Sequence, residues 1–338
     1  MSEMKECDHF EGADRFFAVC RQLKGKKVGV IGHTQIDGDA VGAQVALFEI
    51  LKNEGCEAFL METEPGIPDH LRPLYGKYKT YQPHQVSVDE WCVVDCSQPS
   101  RVGDFFEAIR PFLLIDHHIS GSPFAVHNFI HPQAAAACEI LADYLYQAKY
   151  PISVVMANAL YAGLIMDTGN YCYSSTRAAT LHLGAYLVDR GIQPHVIASL
   201  VYNNEPRKKF LLLEHFFHSW KFYADGKICF GFLHDEDYEA TGTDMVDVEG
   251  FVNYPRSIHG VRIAGLVQKL AGLIKVSLRS NEPALRLDQV AQRFQGGGHI
   301  CAVAFKTTGT IESFWDDLIN ALQERLKVVE EGVLPYES

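Results

Sequence analysis

A doubly wound, mainly parallel α/β sheet, joined by a helical connector to a smaller α/β domain, is the fold class the sequence predicts, and three observations predict it. Apolar strand-like runs alternate with helical periodicity from Lys27 to about Gly191, as layers of helices around a parallel sheet require. Four of these segments end in an acid or an imidazole. Beyond Trp220 the texture changes to short β-like runs followed by an amphipathic helix. The expected division is a first domain over 1–194, a helical connector over 195–219 and a second domain over 220–338.

Taken in order, Lys27 to Gly32 reads as a strand and runs into His33-Thr34-Gln35-Ile36-Asp37-Gly38-Asp39. Ala40 to Asn53 has helical apolar spacing through Val41, Val45 and Phe48, with Gly55 as its stop. Cys56 to Met61 is a second strand, and Trp91 to Val94 a third that ends in Asp95. Pro111 to Ile115 is an apolar run closed by Asp116-His117-His118. Helices are expected over roughly Ala134 to Gln147, Ile152 to Ile165 and Thr176 to Arg190, the last stopped by Gly191 and Pro194, with Asp167-Thr168-Gly169 closing the apolar stretch that starts at Asn158. In the second domain the runs are Lys227 to Leu233, Val261 to Val267, Ile274 to Leu278 and Cys301 to Phe305, with a closing helix from about Ile311 to Val329.

In an open parallel sheet, ligands gather outside the carboxyl ends of the strands, so side chains far apart in sequence can converge there. A lone Asp after a strand is more often a turn or helix cap, and a lone His more often a surface or core residue. The joint pattern is different. Four or five Asp with two or three His carry too much charge to share one cleft unless cations neutralise it. Carboxylate and imidazole donors without cysteine favour Mn²⁺, with Mg²⁺ or Co²⁺ as alternatives, over structural Zn²⁺. There are enough donors for two ions, and two ions roughly 3.5–4 Å apart form the usual apparatus for in-line displacement at phosphorus.

Composition agrees with a soluble enzyme: 338 residues, 47% hydrophobic and 21% charged. The start lacks the apolar core of a signal peptide and no run approaches a membrane span, so a cytoplasmic protein without a membrane partner is expected. Nine cysteines with no Cys-x-x-Cys pair point to reduced thiols, Cys92 and Cys96 among them as packing residues. A net charge of −12 disfavours long nucleic acid, which usually meets a basic face. Arg207-Lys208-Lys209, the densest basic patch, reads as the solvated face of a helix. Whether the chain is a monomer or a homodimer is left open.

Two features of the second domain bear on a substrate. Lys275 to Ser280 alternates as a strand, which puts Lys275, Ser277 and Arg279 on one face, and Arg279 can fork onto a phosphate. Gly296-Gly297-Gly298-His299 follows a short helix, Asp288 to Phe294. Its glycines let backbone amides approach an anion, and the imidazole is a further donor.

These residues together resemble the DHH phosphoesterase superfamily, subfamily DHHA1. His33-x3-Asp37-Gly38-Asp39-Ala40 is similar to the first motif, Asp95 to the second, Asp116-His117-His118 to the third and Asp167-Thr168-Gly169 to the fourth, while Gly296 to His299 resembles the DHHA1 signature. The resemblance covers nearly the whole chain and is nearest to the stand-alone nanoRNase and 3′-phosphoadenosine 5′-phosphate phosphatase type. It implies that His33, Asp37 and Asp95 hold one Mn²⁺ and that Asp39, Asp95, His117 and Asp167 hold the second, with Asp95 as the bridge. It further implies that Asp116 orients an imidazole, that His118 faces the substrate phosphate or leaving oxygen, and that Arg279, Ser280, Gly296, Gly297, Gly298 and His299 contact substrate. The signature departs from the family at Gln295, Ile300 and Ala302-Val303-Ala304, and motif one carries Gln35-Ile36 in place of Asn-Pro.

The implied activity is two-metal hydrolysis of short oligoribonucleotides, dinucleotides or 3′-phosphoadenosine 5′-phosphate to mononucleotides. Three alternatives stand beside it: a pyrophosphate or polyphosphate hydrolase of the same superfamily, a non-catalytic nucleotide sensor, and an exonuclease on longer polymers. The DHHA1-like ending counts against the first, the full acid and imidazole set against the second, and acidity against the third.

Overall fold

Val28, Val30 and Ile31 are fully buried, and the strand they form, β1 (Lys27–Ile31), lies in the middle of a sheet rather than at its edge. A computed structural model describes residues 9–332 apart from 65, 108 and 120, with the backbone but not the side chain of His299. The chain divides into two compact units, Met1–Asn204 and Glu205–Ser338. In the first, β2 (Glu57–Met61), β3 (Thr80–Tyr81), β4 (Glu90–Val94), β5 (Leu113–Asp116) and β6 (His127–Ile130) join β1 in the order β3-β2-β1-β4-β5-β6, every pair parallel. Near-continuous Val, Ile and Leu in β1, β4 and β5 is what a sheet covered on both faces requires. The expected doubly wound fold is therefore the one found, and its strand order reverses between β1 and β4.

The helices of this unit are α1 (Ala13–Arg21), α2 (Gly38–Asn53), α3 (Ala137–Gln147), α4 (Val154–Asp167), α5 (Ala178–Val188) and α6 (Pro194–Tyr202). α2 is buried from Gly38 to Leu51, so it is a central helix and not an amphipathic surface one. Glycine allows this. A Cβ on Gly42 would lie 2.4 Å from the Ala159 carbonyl oxygen and 2.6 Å from Cys138 Sγ, and one on Gly163 would lie 2.4 Å from the same sulfur. α2 and α4 thus meet backbone to backbone at these two positions, with the Cys138 sulfur of α3 packed against both glycines.

Several expectations shift in detail. α3 starts at Ala137 rather than near Ala134, because Ala136 is extended and the amides of Ala137 and Cys138 are capped by the Asp39 carboxylate. α4 starts at Val154 because Ser153 Oγ accepts the Met156 amide at 3.0 Å. The helix runs two residues past the expected Ile165, so Asp167, the fourth acid, is its last residue. α1 and β6 had no counterpart in the sequence reading.

The second unit carries β7 (Lys221–Tyr223), β8 (Ile228–Leu233), β9 (Ile263–Leu270), β10 (Leu273–Ser280), β11 (Gly297–His299) and β12 (Ala302–Thr308), ordered β11-β12-β10-β9-β8-β7. Only β8 and β9 pair in parallel. Its helices are α7 (Arg207–His218), α8 (Asp235–Thr241), α9 (Asn253–Arg256), α10 (Leu287–Arg293) and α11 (Glu312–Glu330). The stretch 195–219, expected as one connector, is two helices with different loyalties. Ile197 and Val201 of α6 join the first unit's core, while Leu212, Leu213 and Phe216 of α7 pack in the second. In the basic run, Lys208 pairs with Asp247 and Lys209 with Glu205. No helix among the described residues is long and apolar enough to cross a membrane.

Gly42→Ala is expected to cost about 1–3 kcal/mol, because the added methyl meets a carbonyl that cannot move without opening the α2–α4 contact. Differential scanning calorimetry reads this as a fall of about 2–4 °C per kcal/mol; an unchanged Tm would mean that the helices separate freely.

Candidate metal centre

The strand order places the acids and imidazoles side by side. β1 and β4 are neighbours across the reversal, and β4 pairs with β5, so the residues following Ile31, Val94 and Ile115 leave adjacent positions at one edge of the sheet. His33 comes from the turn after β1. Asp37 is the cap of α2, its Oδ1 accepting from the amides of Asp39 at 3.0 Å and Ala40 at 3.1 Å, which leaves Oδ2 unused by the helix. Asp95 has left-handed backbone (φ 52), a conformation Asp tolerates, and its amide donates to the Ile115 carbonyl. Asp167 reaches in from the end of α4.

Three groups of ligand atoms gather there: His33, Asp37 and Asp95; Asp39, His117 and Asp167; and Asp95, His117 and His118. Asp95 divides its carboxylate between them. Its Oδ2 lies 3.4 Å from His33 Nε2, and its Oδ1 lies 3.4 Å from His117 Nε2. His33 Nε2 is also 3.6 Å from Asp37 Oδ2, and His117 Nε2 is 3.3 Å from Asp167 Oδ2 and 3.9 Å from Asp39 Oδ2.

The imidazoles are oriented from behind. His33 Nδ1 donates to the Thr34 carbonyl at 2.7 Å and His117 Nδ1 to the Ala134 carbonyl at 3.3 Å, so each turns Nε2 toward the carboxylates. His118 Nδ1 donates instead to Asp116 Oδ1 at 2.7 Å. Gly121 lets the following loop close over Asp116, since a Cβ there would sit 2.6 Å from Asp116 Oδ2.

Asp39 and Asp116 are fully buried and Asp95 is 2% exposed, so their charge has little water to solvate it. Burial, then the neighbouring Asp95 charge, pushes Asp39 up to about 7. Burial and then the Asp39 and Asp37 charges hold Asp167 well above the usual carboxylate range. Burial opposes ionisation of Asp95, yet hydrogen bonds from His117 and His33 outweigh it and keep that carboxyl well below its usual range. Burial pulls both imidazoles down, but the bond to Asp95 carries His117 far up, and the bonds to Asp37 and Asp95 raise His33 to about 10.

Protons thus occupy places where cations fit. Two Nε2 atoms with their rings fixed point at carboxylate oxygens, the His117 nitrogen staying 3.4 Å from Asp95 Oδ1, and the buried Asp116 Oδ2 has no hydrogen-bond partner among the described residues. Oxygen and imidazole donors with no thiolate among the clustered atoms suit a hard or borderline divalent ion.

Arg101 escaped the sequence reading. It ends the short 3₁₀ turn Pro99–Arg101, its carbonyl accepts the Thr34 amide at 2.6 Å, and its guanidinium Nη1 lies 3.5 Å from His118 Nε2. A single arginine in a turn carries no periodicity, and only its nearness to the Asp95 segment hinted at it.

In the second unit Arg279 lies on β10, Nη1 donating to the Leu278 carbonyl at 3.0 Å. Ser280, expected beside it at the substrate, faces the other way. Its hydroxyl donates to the Arg262 carbonyl and accepts the Glu282 amide, as period-two alternation dictates. Gly296 and Gly298 are required by close approach, because a Cβ would lie 2.5 Å and 2.3 Å from the carbonyl oxygens of Ala304 and Ala302. The side chain of His299 lies outside the described residues.

A parallel sheet whose carboxyl edge carries interlocked acid and imidazole groups defines a class of cation-binding α/β domains. Residues 27–164 match the model described as the DHH family, N-terminal domain. The chain is similar to the bifunctional oligoribonuclease and PAP phosphatase NrnA of Thermus thermophilus, 24% identical over 296 residues that cover 87% of this chain and 88% of that one. The Bacillus subtilis protein of the same name is 23% identical over 294 residues, 84% of this chain and 89% of its own. Among solved structures, an exopolyphosphatase-related protein from Bacteroides fragilis superposes with a TM-score of 0.85 at 24% identity, covering 97% of this chain and all of that one, which speaks for the fold.

The shifts fix a pH dependence. In cation-free protein the His33 contribution to stability is complete below the unfolded value of 6.5 and is lost as pH rises toward about 10, and the Asp39 contribution falls between 3.8 and about 7. A bound cation replaces those protons, so the rise in Tm on adding Mn²⁺ to EDTA-treated protein should be larger at about pH 8.5 than at about pH 6.5. An equal rise at both would exclude proton displacement.

Proposed function

We propose that the chain is a divalent-cation-dependent phosphoesterase acting on short oligoribonucleotides, dinucleotides or 3′-phosphoadenosine 5′-phosphate. The observation that carries this reading is the division of Asp95, one oxygen toward His33 and the other toward His117, which suits a carboxylate shared by two ions. His33, Asp37 and Asp95 would hold one ion; Asp39, Asp95, His117 and Asp167 would hold the other, with Mn²⁺ the expected metal. When bound, such ions supply Lewis-acid neutralisation of the phosphoryl oxygens.

The chain's own groups do the rest. Asp116 holds Nδ1–H of His118 and leaves Nε2 as the atom that exchanges a proton with the leaving oxygen. The Arg101 guanidinium adds positive charge beside that atom, where phosphoryl oxygens would sit. The names of the Thermus thermophilus and Bacillus subtilis relatives support the choice of small nucleotide substrates, and the acidity of the chain supports sparing of long polymers. Arg279 and the glycine turn at Gly296 to Gly298 are assigned to substrate binding.

Incubation with Mn²⁺ and a panel of a dinucleotide, a pentanucleotide, a long RNA, 3′-phosphoadenosine 5′-phosphate and pyrophosphate tests the reading. Mononucleotides should appear from the short members while the long RNA survives; turnover of pyrophosphate alone would defeat it. Asp95→Asn should lower kcat by about a thousand-fold or more and abolish tight Mn²⁺ binding, with near-native circular dichroism. Retained activity in that variant would remove the shared-carboxylate assignment.

A further inference from the structure

Glu139 is fully buried in the first turn of α3 and belongs to none of the three ligand groups. An acid at the third position of a helix ordinarily reaches back to the amide of the residue just ahead of the helix, which here is Ala136. Glu139 passes over it. Its Oε2 accepts the amide of Ala135 at 2.6 Å, while its Oε1 accepts Thr180 Oγ1 at 2.6 Å and Arg177 Nη2 at 3.0 Å, both at the start of α5.

The Ala135 amide shares one peptide plane with the Ala134 carbonyl, and that carbonyl holds His117 Nδ1 at 3.3 Å. A trans peptide is a rigid plate with its C=O and N–H on opposite edges. Glu139 therefore grips one edge of the plate whose other edge fixes the His117 ring. The carbonyl cannot turn away from His117 without pulling the N–H off a buried carboxylate, which would leave that charge one donor short. A charged acceptor on the N–H also polarises the peptide and strengthens its carbonyl as an acceptor, so Nδ1–H is held harder and Nε2 becomes a more basic ligand atom.

The Asp39 carboxylate takes the amides of Ala137 and Cys138 in the same segment. The start of α3 thus sets two members of the Asp39, His117 and Asp167 group, whereas His33 and Asp37 are fixed elsewhere, by the Thr34 carbonyl and by the first amides of α2.

We infer that Glu139 is a positioning residue for His117, a carboxylate–peptide–imidazole relay that raises cation affinity at the Asp39, His117 and Asp167 group and leaves the His33 and Asp37 group alone. The inference rests on the cation assignment within the phosphoesterase reading above and holds whichever phosphoester is cleaved.

Calorimetric titration of Mn²⁺ into the full chain, treated with EDTA and then desalted, tests this without substrate. Glutamine offers one acceptor oxygen where the carboxylate offers two, so Glu139→Gln cannot serve both Ala135 and the groups of α5. That variant should bind one Mn²⁺ about ten-fold or more weakly while the other keeps its affinity. Glu139→Asp retains the buried charge but draws it back by one methylene; it should show the same one-sided loss, and it serves where the glutamine variant does not fold. Arg177→Gln loosens the same tie between α3 and α5 yet leaves the carboxylate on the Ala135 amide, so it should keep both affinities, which a merely structural role for Glu139 does not allow. Equal weakening by the Arg177 and Glu139 variants, weakening of both ions alike, or unchanged affinity in both Glu139 variants overturns the inference. Hydrolysis of a simple aryl phosphodiester by the unmodified chain with Mn²⁺ reads the phosphoesterase assignment separately. Turnover with unchanged Mn²⁺ affinity in the Glu139 variants sinks the relay alone, and one-sided loss of Mn²⁺ without turnover by the unmodified chain sinks the phosphoesterase reading alone.

Discussion

The first unit is organised around one constraint: carboxylates held almost out of water must be neutralised by something other than water. Asp95 is the centre of it. Its left-handed backbone turns the side chain back over the sheet edge, between two imidazoles whose own rings are fixed by backbone carbonyls. Without those carbonyls the imidazoles would be free to rotate away, and the acids would face each other unscreened.

Packing serves the same constraint from behind. Both oxygens of Asp39 accept amides at the start of α3, at 2.6 and 2.8 Å, so this acid is at once a helix cap and a member of the cluster. That geometry exists only because α2, α3 and α4 approach closely at Gly42 and Gly163. The glycines are far from the chemistry in function and adjacent to it in space, which ties the stability of the helical layer to the position of a ligand atom.

Much of this was legible in the sequence, for a physical reason. Apolar runs that end abruptly in an acid or imidazole mark strand ends, and parallel strands deliver their ends to one edge, so the convergence of His33, Asp95 and Asp116 follows from pattern alone. Asp167 was legible as the acid that follows the helix expected over Ile152 to Ile165, and the structure extends that helix by two residues to include it. Arg101 was illegible since a turn residue has no pattern to break. Neighbours on a strand point to opposite faces, so Ser280 does not share the face of Arg279, and its hydroxyl is engaged by the Arg262 carbonyl and the Glu282 amide. β6 was missed because four residues of mixed polarity, His127 to Ile130, read equally well as loop.

The clustered groups run from His33 to Asp167, and this spacing has a consequence for biosynthesis. The first acids leave the ribosome long before α4 is made, and no local pairing within 33–39 can complete either group. A nascent chain stopped before Val154 therefore exposes Asp37, Asp39 and Asp95 without their last partner and lacks the helix that packs against α2 at Gly42. Translation through α4 is thus the earliest point at which this unit can close, and cation capture marks the end of its assembly rather than the beginning.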